Sequence, residues 1–290
     1  MKKMDFLGDY ERWCGGDTSV RTALSVLIPM YRYDCSQLVA DLRKQGDALG
    51  VGYEIIVADD EKLRLGRARV RNWLADKAQG EKLLFIDCDA GVDDAHFLER
   101  YLKASTQATV VCGGQHNVDV LPSPDVSLRF YYEAAAHHQR EAARRNQRPY
   151  ERFSSFNFLI DSKTFRSIGF DERFTEYGHE DTLFGAELQR RGIGVLHIDN
   201  PLLNTDIETN AVFLDKSRTA LRSLKRMEAE LQVYSTLLRG YRKVRRLGLK
   251  RLLACLFRRY GTRWERQLTE SAHPSLGLFK LYKLAYYCTL

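Results

Sequence analysis

Long apolar runs, paired cysteines and low-complexity linkers are all missing from this 290-residue sequence. No uncharged apolar run approaches the roughly 20 residues that a membrane-spanning helix requires, and the first residues lack the apolar stretch of a signal peptide. The six cysteines include no C-x-x-C pair, which argues against a disulfide framework or a zinc site. We therefore expect a cytoplasmic globular protein with free thiols.

The net charge of +7 conceals two parts of opposite sign. Residues 216–290 contain 18 Lys and Arg and 4 Asp and Glu, which gives +14. Residues 1–215 contain 27 basic and 34 acidic residues, which gives −7 and restores the total of +7. This division predicts a main domain over residues 1–215 and a basic helical extension over residues 216–290.

Strand-like and helix-like segments alternate through the first 114 residues. Buried-strand patterns occur at residues 24–29, 53–60, 83–86 and 109–114. Helical periodicity separates them, and this alternation predicts an α/β fold with a mostly parallel sheet covered by helices on both faces. Further along, residues 126–146 and 208–238 are each predicted to form one helix, and residues 180–191 form a shorter one.

Two carboxylates follow the predicted strand 83–86. Asp87 and Asp89, the D-x-D pair, are two positions apart, and strand side chains at that spacing project to the same face. The carboxyl ends of parallel strands line the crevice where open α/β folds bind ligands. Two hard oxygen donors in that crevice suit Mg²⁺ or Mn²⁺ holding a diphosphate. A D-x-D pair alone is common, so its surroundings decide its meaning.

The preceding predicted strand also ends in acids. Asp59 and Asp60 can accept the N3–H of a uracil or a ribose hydroxyl, although acids at strand ends also cap helices. Arg67 and Arg71 follow on a predicted helix, where guanidinium groups can bind phosphate through two donors. The alternative for both arginines is a solvated helix face.

A second cluster of charged residues lies in residues 174–192. Gly178 permits an unusual turn, after which Glu180 and Asp181 fall at a helix start, where the helix dipole favours carboxylates. That dipole accounts for one acid, and Asp181 can instead act as general base toward a hydroxyl. His179 and His197 are either metal ligands or, more commonly for single histidines, structural residues.

Six segments carry motifs in an order that resembles that of family 2 glycosyltransferases: SVLIPMYRYD, IIVADD, GRARVRN, LLFIDCD, a run from SSFNFLID to LQRRG, and IDNPLLN. These are inverting enzymes of the GT-A fold, a Rossmann-like nucleotide-sugar-binding domain. The resemblance covers residues 24 to about 215, and residues 170–192 also resemble the acceptor-side segment of galactosyltransferases.

This resemblance implies a role for each motif residue. The implied donor-binding set is Pro29, Tyr31, Asp59, Asp60, Arg67, Arg71 and Asp87. Asp89, with Asp87, would coordinate a divalent cation, Mn²⁺ or Mg²⁺, on the diphosphate. Asp181, of the pair with Glu180, would take the proton from the acceptor hydroxyl, and the metal and nearby arginines would stabilise the departing nucleoside diphosphate.

Two features depart from the family pattern. Only five residues separate Asp60 from Gly66, where relatives often carry a longer loop, so nucleotide contacts in that loop stay open. Relatives that end this motif in N-P-x-x-H often place that His on the metal, whereas this chain has Asn204 there. Asn204, His197 or water would then complete the metal site.

The C-terminal segment combines basic and apolar residues. Residues 241–260 contain eight Lys and Arg and no acid, interleaved with leucines. On a helix this pattern is typical of a segment lying on an anionic membrane surface, and residues 240–290 are the predicted membrane-binding part. The alternatives are a helix packed on the catalytic domain with a solvated basic face, and a nucleic-acid site. No nucleic-acid partner is expected, because no recognised module accompanies the charge.

These observations lead to one hypothesis and two rivals. The hypothesis is an inverting hexosyl- or N-acetylhexosaminyltransferase that uses a UDP-sugar and a divalent cation. Its acceptor would be a glycan or lipid-linked glycan in surface or exopolysaccharide synthesis, at the inner face of the cell membrane. The rivals are a nucleotidyltransferase on a similar sheet, which would release pyrophosphate, and a catalytically silent glycan-binding or scaffold protein of the same fold.

Overall fold

A computed structural model describes residues 4–7, 9–17, 22–174 and 176–290 of the chain. The chain divides into two compact units. Unit 1 contains the described residues of Met1–His116, Gln139–Thr175 and Glu180–Asp206, and unit 2 contains Asn117–His138, Glu176–His179 and Ile207–Leu290. Both units are therefore discontinuous along the chain.

All strands found in the described residues belong to unit 1. In chain order they are β1 (Met4–Leu7), β2 (Tyr10–Gly15), β3 (Leu24–Met30), β4 (Tyr53–Asp59), β5 (Lys82–Ile86), β6 (Ala90–Gly91), β7 (Val110–Cys112), β8 (Gln115–His116), β9 (Asn157–Asp161), β10 (Val195–His197) and β11 (Leu202–Asn204). Eight of them form a central sheet in the order β1-β2-β4-β3-β5-β9-β7-β10, and β6, β11 and β8 form a smaller sheet.

The central sheet is mostly parallel, as the sequence predicts. Strands β2 and β9 run opposite to their neighbours, and the other six described strands share one direction. The carboxyl ends of β3, β4 and β5 consequently lie at one edge of the sheet. The α/β class is confirmed.

The helices complete both units. Those of unit 1 are α1 (Ser36–Ala48), α2 (Asp60–Leu63), α3 (Arg67–Lys77), α4 (Phe97–Ala104), α6 (Ala142–Arg145), α7 (Ser162–Ile168) and α8 (Glu180–Arg190); those of unit 2 are α5 (Ser127–Ala134), α9 (Asn210–Arg226), α10 (Glu228–Leu231), α11 (Thr236–Arg246), α12 (Lys250–Glu270) and α13 (Leu276–Tyr287). Two short 3-10 turns, Pro124–Val126 and His137–Gln139, accompany them.

Both faces of the central sheet are covered by helices. On β3, Val26 and Ile28 belong to the apolar core that includes α1 and α4, whereas Leu27 belongs to the core that includes α3, α7 and α8. Alternate side chains of a strand point to opposite faces, so burial on both sides explains why this strand is apolar throughout. The two-sided cover predicted from the alternation is confirmed.

Two predicted helices are interrupted. Residues 126–146 form α5, a 3-10 turn and α6, and the Ala142 N–H donates to the Asp199 carboxylate at 2.8 Å, which supports a new helix start. Residues 208–238 are divided among α9, α10 and the start of α11, where the Leu238 N–H donates to the Ser235 hydroxyl at 3.3 Å. The single-helix predictions are wrong because these capping groups override the apolar periodicity.

Unit 2 has a core of its own. Its buried members are Leu128, Phe213, Leu214, Leu268, Phe279 and Tyr282. The predicted domain boundary between residues 215 and 216 falls inside α9. Unit 2 also contains Asn117–His138 and Glu176–His179, which are not part of the predicted extension over residues 216–290. Among the described residues, no helix is both long enough and apolar enough to cross a bilayer.

Candidate active site

Asp87 lies directly after β5 and is bound by Arg71. The Arg71 side chain is only 2% exposed, and its guanidinium donates to the Asp87 carboxylate and, at 2.9 Å, to the backbone carbonyl of Arg67. The ring of Phe170 lies 5.7 Å from the guanidinium carbon. The predicted phosphate contact of Arg71 is therefore corrected to an ion pair inside the protein, and the solvated-face alternative is wrong as well.

Asp89 is a partly buried carboxylate close to other acids. Burial is the main reason why its pKa is raised to about 6, and the neighbouring Asp87 carboxylate raises it further. Arg67 lowers this pKa and Asp206 raises it, so both side chains lie within electrostatic reach. Thr205 fixes the backbone here, because its N–H and its hydroxyl donate to the Asp89 carbonyl at 2.9 and 2.7 Å. A cation would stabilise the ionised form of Asp89.

Glu180 and Asp181 form the first turn of α8, as the sequence predicts. Burial raises the pKa of Asp181 to about 6, and the adjacent Glu180 carboxylate adds to the rise. The Thr182 N–H donates to Asp181 Oδ1 at 2.6 Å, and the charge of Arg71 also lowers the pKa. Asp181 is consequently ionised at neutral pH and yet more basic than an ordinary aspartate.

Two of the three arginines of α3, Arg67 and Arg71, connect acids that are far apart along the chain. Arg71 bonds to Asp87 and acts electrostatically on Asp181. Arg67 Nη1 lies 3.9 Å from Glu180 Oε1, and the same arginine acts on the second carboxylate of the D-x-D pair. The end of β5 and the start of α8 therefore meet in one charge network in unit 1.

The chain enters α8 through two residues with positive φ. Gly178 has φ +104°, and a Cβ at that position would lie 2.6 Å from the Ala220 Cβ, so the turn requires glycine. His179 has φ +71°, a conformation that a non-glycine residue seldom adopts. The unusual turn expected at Gly178 is confirmed, and strain of this kind often accompanies functional sites.

The acids at the end of β4 and the start of α2 mainly bind local backbone groups. Asp59 Oδ1 accepts from the Glu61 N–H at 3.1 Å, and Asp59 Oδ2 lies 3.1 Å from Lys62 Nζ. Asp60 accepts from the Gly66 N–H at 3.0 Å and so closes the short loop before α3. The capping alternative holds for Asp59, which caps α2, whereas Asp60 binds the backbone of the loop before α3. Both carboxylate oxygens of Asp60 accept from the loop backbone, and its predicted donor contact stays a prediction.

Asp59 also lines a cavity of about 570 Å³ in unit 1. Tyr10 and Trp13 of β2, Met30 at the end of β3 and Arg43 of α1 are among the other lining residues. The β1–β2 hairpin was absent from the sequence-based prediction. The signal that could have revealed it is a pair of strand-forming aromatics followed by two glycines.

Pro29 and Tyr31 flank the cavity residue Met30 in the chain. Pro29 pairs with Ala58 across β3 and β4, at the carboxyl end of both strands. Tyr31 is 54% exposed, and the guanidinium of Arg32 lies 5.2 Å from its ring. The exposed ring leaves Tyr31 accessible to a ligand at the same sheet edge as Asp59.

His197 is a structural residue and not a metal ligand. Its ring is 2% exposed, with Nδ1 2.8 Å from Arg145 Nη1 and Nε2 2.9 Å from the Pro149 carbonyl oxygen. Burial lowers the pKa of His197 to about 4, so the ring is neutral and accepts from Arg145 at Nδ1 while it donates from Nε2. Neither nitrogen keeps a lone pair for a metal, and the predicted alternative ligand is corrected.

The remaining predicted metal ligands fit a cation held by oxygen atoms. No group of three or more His, Cys, Asp or Glu side chains suited to a metal is found in the described part of the chain. Asn204 adds an amide oxygen: its side chain is 4% exposed, Oδ1 has no hydrogen-bond partner, and its backbone pairs with Ala90, next to Asp89. Asp87, Asp89 and Asn204, with water, are hard donors of the kind that Mg²⁺ and Mn²⁺ prefer.

Neither family models nor curated proteins match this chain. Solved structures with similar folds include TarS from S. aureus in complex with UDP-GlcNAc, at 15% identity, 92% coverage of this chain, 90% of that chain and a TM-score of 0.47. The mannosyltransferase PcManGT from Pyrobaculum calidifontis, in complex with GDP-Man and Mn²⁺, matches at 13% identity, 93% and 87% coverage and a TM-score of 0.48.

The catalytic domain of Drosophila β1,4-galactosyltransferase 7, in complex with xylobiose, matches at 16% identity, with 65% coverage of this chain, 69% of that chain and a TM-score of 0.40. In two further TarS structures the matched part spans 65% and 40% of the TarS chain, less than two thirds in each. All these TM-scores lie below 0.5, so the activity of this chain has to be argued from its own residues.

Proposed function

We propose that this protein is a glycosyltransferase that moves a sugar from a nucleotide donor to a hydroxyl acceptor. The observation that carries the proposal is the charge network of unit 1, in which Arg67 and Arg71 connect the D-x-D pair to Glu180 and Asp181. A binding module has no need of a basic carboxylate beside a cation site, whereas a transferase needs both.

In this proposal Asp181 removes the proton from the acceptor hydroxyl. Its pKa of about 6 leaves it ionised at neutral pH, and a base with a pKa close to the working pH is efficient. The acceptor oxygen forms a bond to the anomeric carbon as the bond from that carbon to the diphosphate oxygen breaks. A single displacement of this kind inverts the anomeric centre and needs no covalent enzyme intermediate.

The D-x-D pair would bind the diphosphate of the donor. Asp87, Asp89 and Asn204 are the residues that would hold Mg²⁺ or Mn²⁺, and the cation would offset the negative charge of the departing diphosphate. Arg71 holds Asp87 in place through their ion pair. Arg67, whose side chain is 44% exposed, would contact a phosphate of the donor.

The cavity beside Asp59 is the proposed nucleoside site. It carries four acids, of which Asp59 lies at the end of β4, and its two aromatic residues offer flat apolar surfaces. Carboxylates accept hydrogen bonds from ribose hydroxyls and from the N3–H of uracil, which favours uridine in the donor. The four lining acids outnumber the two lining cations, Arg43 and Lys62, so the diphosphate is assigned to the cation that the D-x-D pair would hold.

A panel of nucleotide sugars tests the proposal and identifies the donor. The panel includes UDP-GlcNAc and GDP-mannose, and each is measured for thermal stabilisation with and without Mn²⁺. We expect one UDP-sugar to raise Tm more with Mn²⁺ than without, and slow hydrolysis to release UDP. Release of pyrophosphate would show a nucleotidyltransferase instead, and no stabilisation by any donor would contradict the proposal.

A matched pair of variants locates the site. Asp89→Asn should lose the Mn²⁺-dependent part of the stabilisation, because it removes a charged ligand. Asp76→Asn, on the exposed face of α3, makes the same change of charge away from the site and should retain it. The proposed acceptor is a glycan or lipid-linked glycan in polysaccharide synthesis, and the proposed sugar is a hexose or N-acetylhexosamine.

A further inference from the structure

The turn between α11 and α12 forms an exposed corner in unit 2, residues 242–252, called here the basic corner. Helix α11 ends where Gly248 adopts φ +72°, and the Leu249 N–H donates to the Val244 carbonyl at 3.0 Å. This is the ordinary glycine-terminated end of a helix, and α12 begins two residues later at Lys250. Nothing lies within 4 Å of a Cβ placed at Gly248, so the tip of the corner is open.

Three leucines of the basic corner are exposed. The exposed fractions are 69% for Leu247, 40% for Leu249 and 54% for Leu252. One turn later the apolar residues face inward: the Phe257 ring contacts the Tyr282 ring at 5.1 Å and belongs to the edge of the unit 2 core. The apolar stripe predicted over residues 241–260 is thus divided, with one part in the core and the other at the corner.

The exposed leucines are surrounded by cations. The exposed basic side chains of the corner are Arg242, Lys243, Arg245, Arg246 and Arg251. None of these five forms an ion pair with an acid in the described part of the chain. The sequence contains no Asp or Glu from residue 231 to residue 264, and the carboxylate that acts electrostatically on Arg245 is Glu228, which also pairs with Lys225. The corner therefore presents a concentrated positive charge with an apolar tip.

We propose that the basic corner docks on an anionic lipid bilayer, with Leu247, Leu249 and Leu252 inserted among the lipids and the cations at the headgroups. Charge complementarity supplies the attraction, and the protruding leucines supply the insertion. An acidic protein or a nucleic acid would account for the cations and would leave three leucines in water. This inference goes beyond the proposed transfer reaction, and its test requires no donor sugar.

The test is flotation of the full chain with vesicles of phosphatidylcholine and with vesicles that also contain phosphatidylglycerol. We expect binding only to the anionic vesicles, and weaker binding at high salt. Removal of residues 240–290 is unsuitable as a test, because it would also remove Leu268, Phe279 and Tyr282 from the unit 2 core. Point variants of the corner are therefore used.

Two variants separate the two parts of the surface. Arg245→Gln, Arg246→Gln and Arg251→Gln together should weaken binding roughly 100-fold, since each cation near an anionic surface is worth about a fivefold change. Leu247→Ser, Leu249→Ser and Leu252→Ser together should weaken it at least about tenfold, because insertion is lost.

Matched controls keep the test specific. Lys44→Gln, Lys103→Gln and Lys163→Gln remove three exposed charges from unit 1 and should leave vesicle binding within about twofold. Val120→Ser and Val212→Ser replace exposed apolar residues elsewhere in unit 2 and should also leave it unchanged. Circular dichroism of every variant establishes that the fold is retained.

Three results would overturn the inference. The first is no binding of the unaltered chain to anionic vesicles. The second is equal binding by the corner variants and the control variants. The third is tight binding to a single-stranded RNA, unaffected by the leucine changes, together with no vesicle binding, which would assign the corner to nucleic acid. A failure of this kind leaves the glycosyltransferase proposal untouched, because donor stabilisation is measured without lipid.

Discussion

The charge network of unit 1 and the basic corner of unit 2 hold their charges in opposite ways. In the first, acids from distant segments are drawn inward, and burial raises the pKa of Asp89 and of Asp181 to about 6. In the second, cations from one continuous segment are exposed and form no ion pair with an acid among the described residues. Buried charges oppose folding because they lose their hydration, and they can act on a substrate at short range. Exposed charges have little effect on folding and can attract a surface of opposite charge. Substitutions in the two regions should therefore have different consequences.

The largest effect is expected at the proposed base. Asp181→Asn should lower the rate of sugar transfer by about 10²–10⁴-fold, because the amide cannot accept the acceptor proton. Initial rates with the identified donor give the measurement, and the rate of the unaltered enzyme should fall as the pH drops below about 6, where Asp181 becomes protonated. Glu187→Gln on the same helix, where Glu187 pairs with exposed arginines, should keep its rate. Equal rates for the Asn variant and the unaltered enzyme would remove Asp181 from its role.

The second largest effect concerns the buried arginine. Arg71→Met should lower the free energy of unfolding by about 3–5 kcal/mol, because it leaves the partly buried Asp87 without its partner. Arg69→Met is the control on the same helix, where both members of the Arg69–Glu172 pair are about half exposed and the loss should be at most about 1 kcal/mol. Urea unfolding compares the two. Equal losses would mean that burial does not distinguish these ion pairs.

The third effect is a pH dependence that comes from His197. Its pKa in the folded protein is about 4, below the ordinary value of 6.5, so the unfolded chain binds the proton more readily between these values. Stability is therefore complete above about pH 6.5 and should fall by about 3 kcal/mol as the pH drops to 4. Unfolding at several pH values should show a shallower acid slope for His197→Gln. His96→Gln, at a side chain that is 69% exposed, should keep the slope.

A fourth, smaller effect has the opposite sign. The pKa of Asp181 is higher in the folded protein than its ordinary value of 3.8, so the folded state binds more protons between about pH 4 and 6 and loses stability as the pH rises through that window. Asp181→Asn should therefore be more stable than the unaltered chain at pH 7.5, by about 1 kcal/mol after allowance for partial exposure, and equal to it at pH 4. A lower stability of Asp181→Asn than of the unaltered chain at pH 7.5 would contradict the interpretation that the buried Asp181 carboxylate opposes folding.

The smallest effect belongs to the basic corner. Substituting its three leucines with serine should change the free energy of unfolding by less than about 0.5 kcal/mol per residue, because exposed side chains contribute little to folding. The same measurement on Leu268→Ala, in the unit 2 core, should show a loss of about 2–5 kcal/mol. A large loss at the corner would show that its leucines are buried by the protein itself.

Local patterns were sufficient for the elements that position the site. The strands at 24–30, 53–59 and 82–86 and the helix at 180–190 lie within one residue or so of their predicted ranges, because apolar runs and a glycine before two acids are short-range signals. The meeting of strand ends at one sheet edge also follows from parallel order alone.

Partners from distant segments could not be predicted. The roles of Arg71 and His197 depend on residues 16 and 52 positions away, and nothing in the neighbouring sequence reveals these contacts. Asp60 could bind a ligand or its own loop, and the structure shows the loop because the amide of Gly66 turns back toward it. Sequence patterns indicate where charge is placed, whereas tertiary contacts decide what each charge does.

The interleaving of the two units has a consequence for how the chain is made and engineered. Unit 1 includes residues up to Asp206, and unit 2 begins at Asn117, so a ribosome must release most of the polypeptide before either unit has all its parts. No single cut separates them into two continuous fragments. Splitting or fusing this protein for expression should therefore succeed only as co-expressed pieces or within surface loops, and each half made alone should aggregate.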